Sequence, residues 1–146
     1  MSVAAVAKKL GGKRVFRHEL TSETDLIKAI RAGLPVQALD SVCEEFSSVT
    51  GIQTDIYEVV GTVRTLQRKR AQRAALSCGE SDRLARLARL LVRSEQALGN
   101  PLKAIHWLAK PNRALGGQRP LSLLDSDTGA LSVERILGRI EHGVYS

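Results

Sequence analysis

Apolar residues recur at helical spacing along most of the chain, and glycine or proline separates the stretches. The spacing of Leu26 and Ile30 predicts a helix that begins near Glu23, with Ser22 or Thr24 as its cap, and ends at Gly33. The apolar stripe over residues 36–46 predicts the next helix. Together these patterns favour an all-α fold.

Two short helices are predicted around a central glycine. Residues 55–60 and 63–70 are the helices and Gly61-Thr62 is the turn, an arrangement typical of a helix-turn-helix. We expect Gly61 to have a positive φ and Leu66 to face inward. Arginine and glutamine recognise bases and phosphates, so the second helix is a candidate to enter a major groove. The candidate DNA-binding residues are Arg64, Thr65, Gln67, Arg68, Lys69, Arg70 and Arg73. Helix pairs of this kind also occur in plain bundles.

The C-terminal part of the chain predicts one long amphipathic helix and several short elements. Residues 77–81 resemble a break, and a helix is expected from Asp82 to Leu98. Its leucines share one face, and its arginines at 83, 86, 89 and 93 fall mainly on the other. Shorter helices are expected before Pro111 and before Gly143. The first 22 residues are small, basic and glycine-containing, which predicts a flexible arm.

Composition agrees with a helical protein that has an aliphatic core. Aromatic residues make up only 3% of the chain, and the core must depend on Leu, Ile, Val and Ala. No run of 18 apolar residues and no secretory-signal pattern occurs, so we expect a cytoplasmic protein. Cys43 and Cys78 fit no metal spacing, and Cys43 falls on an apolar stripe. No Ser-His-Asp spacing or phosphate-binding loop is present, so we predict no catalytic residue, metal or cofactor.

Charge is concentrated in one segment. The chain has a net charge of +7, and residues 62–93 alone hold nine basic and two acidic residues. In the parts of the chain on either side, the numbers of basic and acidic residues are nearly equal. Such a concentration is typical of a nucleic-acid contact. A solvated helix face and an acidic protein partner are the alternatives.

Residues 82–146 carry an ordered set of short motifs. They are Asp82-Arg83-Leu84, Ala97-Leu98-Gly99-Asn100, the run from Ala104 to Asn112, Ala114-Leu115-Gly116-Gly117, Arg119-Pro120-Leu121, Thr128-Gly129, Ile136-Leu137, Arg139-Ile140 and Gly143-Val144. This order resembles the toxin-binding domain that Xre, MbcA and ParS antitoxins share. Upstream, Gly33-Leu34-Pro35 and residues 61–70 resemble the Xre-type helix-turn-helix. That family often has an apolar residue and then serine after the glycine, whereas this chain has Thr62-Val63, so Thr62 is expected to cap the helix.

The resemblance implies an Xre-like helix-turn-helix bundle followed by a small helical toxin-binding domain. We expect a flexible basic arm over residues 1–22, a DNA-binding domain over 23–78, and a dimerisation and toxin-binding domain over 79–146. The resemblance further implies a type II antitoxin that neutralises a RES-domain, NAD-depleting toxin by restricting the toxin's active site. It also implies binding to operator DNA, repression of the antitoxin's own operon, and a homodimer within a larger complex, with no membrane contact.

The same resemblance suggests which residues contact the toxin. The candidates are Trp107, Arg113, Arg119, Arg139, His142, Tyr145 and Ser146. The alternative role for Trp107 is packing in the core, because it neighbours Ile105 and Leu108 in the sequence. The main alternative is a stand-alone helix-turn-helix regulator. An enzyme is disfavoured because no catalytic motif occurs, and an RNA-binding protein fits the charge but lacks the aromatic residues that stack on bases. A neighbouring RES-type reading frame would separate the antitoxin from the stand-alone regulator.

Overall fold

The computed structural model describes residues 2–143, which contain nine α-helices and two 3₁₀ turns and no β-strand. The α-helices are α1 (Val3–Lys9), α2 (Gly12–Phe16), α3 (Glu23–Ala32), α4 (Gln37–Glu45), α5 (Ile52–Val60), α6 (Val63–Gln72), α7 (Cys78–Leu98), α8 (Pro101–Ala109) and α9 (Asp127–Glu141). The 3₁₀ turns are Arg113–Leu115 and Pro120–Leu123. The all-α prediction is confirmed. None of the helices in this part of the chain is long and apolar enough to span a bilayer.

Side-chain caps start most of these helices. The Ser22 hydroxyl accepts the Asp25 N–H, and the Asp25 carboxylate accepts the Ser22 N–H in return, which begins α3. Asn100 caps α8 with Pro101 in its first turn, and Ser126 caps α9. Each cap satisfies backbone donors that have no partner within the helix.

Helix α7 lies at the centre of the molecule. It contacts α1, α3, α5, α8 and α9. Leu84, Leu87 and Leu91 are fully buried, and one continuous cluster of apolar side chains extends from Val6 to Leu137. Burying a leucine side chain stabilises a fold by roughly 1.5–3 kcal/mol, so α7 is the main contributor to the core.

The first 22 residues do not form the flexible arm predicted from the sequence. They fold into α1 and α2, and Val6, Leu10 and Leu20 are buried. The two helices meet at Gly11, which has φ +108°, and a Cβ there would lie 2.1 Å from Val15 Cγ2. The glycine pair that suggested flexibility therefore permits a tight turn between two packed helices.

Helix α7 begins four residues earlier than predicted. Ser77 is its cap and Glu80 its reciprocal partner, so residues 77–81 are a helix start and not a break. The expected domain boundary between residues 78 and 79 falls inside the first turn of α7. The division into domains remains a prediction.

Candidate functional site

Helices α5 and α6 form the predicted helix-turn-helix. The Thr62 hydroxyl accepts the Thr65 N–H at 3.4 Å, so Thr62 caps α6 as expected, and Leu66 is fully buried. Gly61, however, has φ −173°, so the expected positive φ is wrong. Close packing restricts the side chain at position 61 instead, because a Cβ on Gly61 would lie 3.2 Å from a Glu80 carboxylate oxygen.

The exposed side of α6 presents several of the predicted DNA-binding residues. Arg64, Gln67 and Arg68 are exposed, as is Arg73 at the end of the helix, whereas Thr65 is half-buried. No carboxylate of residues 2–143 lies within 4.0 Å of the three arginines in this set. Their charges are therefore not neutralised by the described part of the chain.

Two further candidates on α6 have partners within the protein. Lys69 Nζ lies 2.5 Å from Glu80 Oε1, and the Lys69 side chain is only 16% exposed. Arg70 Nε lies 2.9 Å from Asp40 Oδ1, although Arg70 itself is more than half exposed. The structure thus gives Lys69 a positioning role, and Arg70 connects α6 to α4.

Glu80 is a buried carboxylate that sequence reasoning missed. It accepts hydrogen bonds from Lys69 Nζ and from the Ser77 N–H, at 2.5 and 2.8 Å. Burial raises the pKa of Glu80, but these hydrogen bonds outweigh burial and hold the pKa below its ordinary value of 4.5. The charged group joins α6, the start of α7 and the Gly61 turn. The Ser-x-x-Glu spacing of a capping box is the signal that would have found it.

The arginines of α7 do not share one solvated face. Arg86 is only 7% exposed, and it donates to the Leu124 carbonyl at 3.1 Å and to Asp127 Oδ1 at 2.5 Å. Arg83 Nε donates to the Val60 carbonyl at 2.7 Å. Because α7 is covered on several sides, part of the basic segment over residues 62–93 is used inside the fold.

The predicted toxin-binding residues are spread over the C-terminal part of the structure. Trp107 is half-buried against the core, which agrees with its alternative as a core residue and still leaves part of the ring accessible. Arg113, Arg139 and His142 are exposed. Tyr145 and Ser146 lie outside the described residues.

Arg119 is engaged with the helix-turn-helix. Its guanidinium binds both oxygens of Asp55, at 2.9 and 3.1 Å, in a bidentate pair between α5 and the residue that precedes the second 3₁₀ turn. Hydrogen bonds from Arg119 lower the pKa of Asp55. The pair joins the C-terminal part of the chain to α5.

A groove of about 360 Å³ lies beside α9. Its lining residues are Ala114, Leu115, Leu123, Ser132, Arg135, Ile136 and Arg139. Arg135 and Arg139 are exposed, and no carboxylate of residues 2–143 lies within 4.0 Å of either guanidinium. The groove therefore combines aliphatic side chains with two cations that have no acidic partner among residues 2–143.

The described residues form no metal-binding cluster, and one of the two cysteines, Cys43, is partly buried. Among residues 2–143, no three His, Cys, Asp or Glu side chains come together in a way that could hold a metal ion. Burial raises the pKa of the Cys43 thiol to about 12, so this thiol is protonated and unreactive at neutral pH.

Two family models match the chain. An antitoxin Xre-like helix-turn-helix domain matches residues 25–89, and the antitoxin Xre/MbcA/ParS C-terminal toxin-binding domain matches residues 93–143. The first match contains α5 and α6, and the second contains α8 and α9.

Curated relatives extend this likeness over most of the chain. Antitoxin Xre of Yersinia enterocolitica is 35% identical over 125 residues, which are 84% of this chain and 82% of the relative. Antitoxin Xre of Photorhabdus laumondii is 34% identical over 119 residues, covering 80% and 78% of the two chains. A protein of Sphingobium named Prs ADP-ribosylating antitoxin is 32% identical over 91 residues, or 56% of this chain and 57% of that protein.

Proposed function

The chain belongs to the Xre antitoxin family, and from that premise we propose that it neutralises a cognate RES-domain toxin and represses its own operon. Neutralisation is assigned to the C-terminal part of the chain and repression to the helix-turn-helix. Both are binding functions, and the proposal gives this protein no catalytic step.

One observation carries the toxin-binding half of the proposal. The groove beside α9 has aliphatic side chains and is bordered by Arg135 and Arg139, which have no acidic partner among the described residues. Arg113 is exposed next to the lining residue Ala114. Such a surface complements an acidic segment with apolar side chains, because opposite charges guide the encounter and apolar contact adds affinity. We place the toxin on this groove and on the candidates Trp107 and His142.

The chemistry of the toxin follows from the family resemblance. We propose a RES-domain toxin that depletes NAD, held inactive because the antitoxin restricts access to its active site. The name of the Sphingobium relative contains the words ADP-ribosylating, and ADP-ribosyl groups are transferred from NAD. Tyr145 and Ser146, outside the described residues, are proposed to enter or cover that active site.

The second half of the proposal concerns DNA. Arg64, Gln67 and Arg68 are exposed along one side of α6, with Arg73 at its end. Arginine binds guanine and phosphate, and glutamine binds adenine, so this side of α6 suits a major groove. We propose that a homodimer places two copies of α6 on the operator, in the cytoplasm, within a larger complex with the toxin.

A charge-reversal variant tests the toxin surface. We expect R135E/R139E to weaken toxin binding by on the order of tenfold or more, because it turns complementary charges into repulsive ones. The control K28E/R31E reverses two exposed cations on α3 and should leave toxin binding within about twofold of wild type. Affinity is measured with a co-expressed RES-type protein from the neighbouring reading frame, and thermal unfolding confirms that both variants fold. Equal binding by wild type and R135E/R139E would remove this groove from the toxin interface.

A further inference from the structure

A polar groove of about 490 Å³ lies between the N-terminal helices and α4. Arg14 of α2 and Arg17, the residue that ends α2, line it together with Gln37, Asp40 and Glu44 of α4. Charged and hydrogen-bonding side chains predominate in its lining, beside Val15 and Pro35, so it suits a charged partner better than an aliphatic one. We call α1, α2 and Arg17 the N-terminal hairpin.

One ion pair connects this groove to α6. Asp40 lines the groove, and its Oδ1 lies 2.9 Å from Arg70 Nε in an ion pair. Arg70 follows Gln67 by about one helical turn, at the edge of the exposed side of α6. The groove and the helix that we assign to the major groove are therefore connected through Asp40 of α4.

The hairpin contributes an excess of positive charge. Residues 2–18 contain five cations and no acidic residue. Lys9 is paired with Glu45 and Glu95, but Arg14 and Arg17 are exposed and have no carboxylate of residues 2–143 within 4.0 Å. Glu44, although it lines the same groove, lies beyond that distance. An external anion is thus the natural partner of these two guanidinium groups.

Arg17 also has an unusual backbone conformation. Its φ is +65°, in the left-handed region that L residues seldom adopt, and its N–H closes α2 by donating to the Lys13 carbonyl at 2.8 Å. Helices commonly end this way with glycine, which has no strain there. An arginine at this position lowers the stability of the fold. The position of its side chain in the groove gives a functional reason for an arginine here.

We propose that Arg14 and Arg17 bind the phosphate backbone of the duplex that α6 enters, so that the N-terminal hairpin is part of the operator-binding surface. This inference rests on the proposed repression of the operon. Phosphate contacts fix orientation and carry no sequence information. The two arginines therefore contribute affinity without base specificity.

The salt dependence of binding tests this assignment. Binding of R14A/R17A is titrated with a promoter duplex and with an unrelated duplex of equal length, between 0.05 and 0.2 M salt. Each phosphate contact contributes roughly 0.9 to the slope of log K against log salt, so the slope should fall by about 2. Affinity for both duplexes should fall by the same factor, on the order of tenfold. K103A/K110A removes two exposed charges from α8 and its end, and it should leave the slope unchanged.

A single substitution separates this role from a structural one. R17G replaces a strained residue with one that adopts φ +65° freely, so its Tm should rise. Its salt slope should nevertheless fall by about 1. If Arg17 only stabilised the fold, R17G would lower the Tm or leave the slope as it is.

Binding by wild type and by R14A/R17A separates the hairpin assignment from the proposed repression. If wild type binds the promoter duplex and R14A/R17A binds with the same slope and affinity, the hairpin assignment is overturned and repression stands. If wild type binds no promoter duplex, both are overturned. If R14A/R17A loses toxin binding and keeps DNA binding, the groove belongs to the toxin interface and the proposal is overturned.

Discussion

Glu80 shows how a single residue can organise the DNA-binding part of the molecule. Its carboxylate lies against the Gly61 turn, binds Lys69 of α6 and completes the cap of α7. A buried carboxylate is tolerated only when such partners replace its hydration. Glu80 thus fixes the orientation of α6 relative to α7, although it is not exposed to DNA.

The stability of the fold should depend on the ionisation of Glu80. Its pKa in the folded state lies below 4.5, so its contribution is fully present above pH 4.5 and is lost as the pH falls through the folded-state pKa. We expect E80Q to lower the free energy of unfolding at pH 7 by about 1–3 kcal/mol, because Lys69 loses its charged partner. The difference between E80Q and wild type should shrink as the pH falls from 6 towards 3.

Chemical denaturation at each pH measures this difference. E19Q removes an exposed carboxylate and serves as the control, with unfolding curves close to wild type. A gap between E80Q and wild type that stayed constant from pH 6 to pH 3 would contradict a role for the Glu80 charge.

At the scale of single helices, α9 depends on one close approach. A Cβ on Gly129 would lie 1.9 Å from the Leu123 carbonyl oxygen, so only glycine lets the first turn of α9 rest on the second 3₁₀ turn. Gly138 lies in the same helix, and the atom nearest to its added Cβ is Arg93 Nη2 at 4.0 Å. Gly129 thus has no room for a Cβ atom, whereas Gly138 has room for one.

The two alanine variants should therefore shift stability in opposite directions. G129A should lower the free energy of unfolding by roughly 1–3 kcal/mol, because backbone must move to remove the overlap. G138A should raise it by up to about 1 kcal/mol, since alanine favours the helix. Thermal and urea unfolding of both variants measure the change. Similar shifts for the two variants would show that Gly129 is not held by the Leu123 carbonyl.

Sequence patterns predicted most helices because caps and apolar spacing are local signals. Thr62 was expected to cap α6, and its hydroxyl does so. The early start of α7 was missed because Ser77 and its neighbours resembled a break, whereas the capping box with Glu80 starts a helix. Arg86 was expected among the arginines opposite the leucine face of α7, yet it is buried. Helices pack on several sides of α7, and the pattern of a single helix does not contain such neighbours.

At the scale of the whole molecule, the two candidate surfaces lie in parts of the chain that are joined through the core. The Arg119–Asp55 pair joins the C-terminal part to α5, and α7 contacts both α5 and α9. Sequence reasoning gave the DNA-binding candidates from the helix-turn-helix pattern and the toxin-binding candidates from the family resemblance. It did not give the pairing of Arg119 with a residue 64 positions earlier, because that pairing depends on tertiary structure.

We expect DNA binding and toxin neutralisation to be separable by substitution. R64A/R68A removes two exposed charges from α6 and should lower operator affinity at least tenfold and the salt slope by about 2, while neutralisation persists. Deleting residues 142–146 should impair neutralisation and spare DNA binding. Promoter titration and growth rescue measure the two functions, with K103A/K110A as the charge-matched control. Loss of both functions in either variant, with normal unfolding, would show that the two surfaces act as one.

The most direct test of the antitoxin account is the cellular NAD level. The reading frame next to the gene is expressed alone and together with this chain, and NAD is measured alongside growth and co-purification. If the chain is the antitoxin, NAD falls and growth stops with the toxin alone, and co-expression restores both and yields a stable complex. An unchanged NAD level with the toxin alone, or a fall that this chain does not prevent, would contradict the antitoxin function and favour a stand-alone DNA-binding regulator.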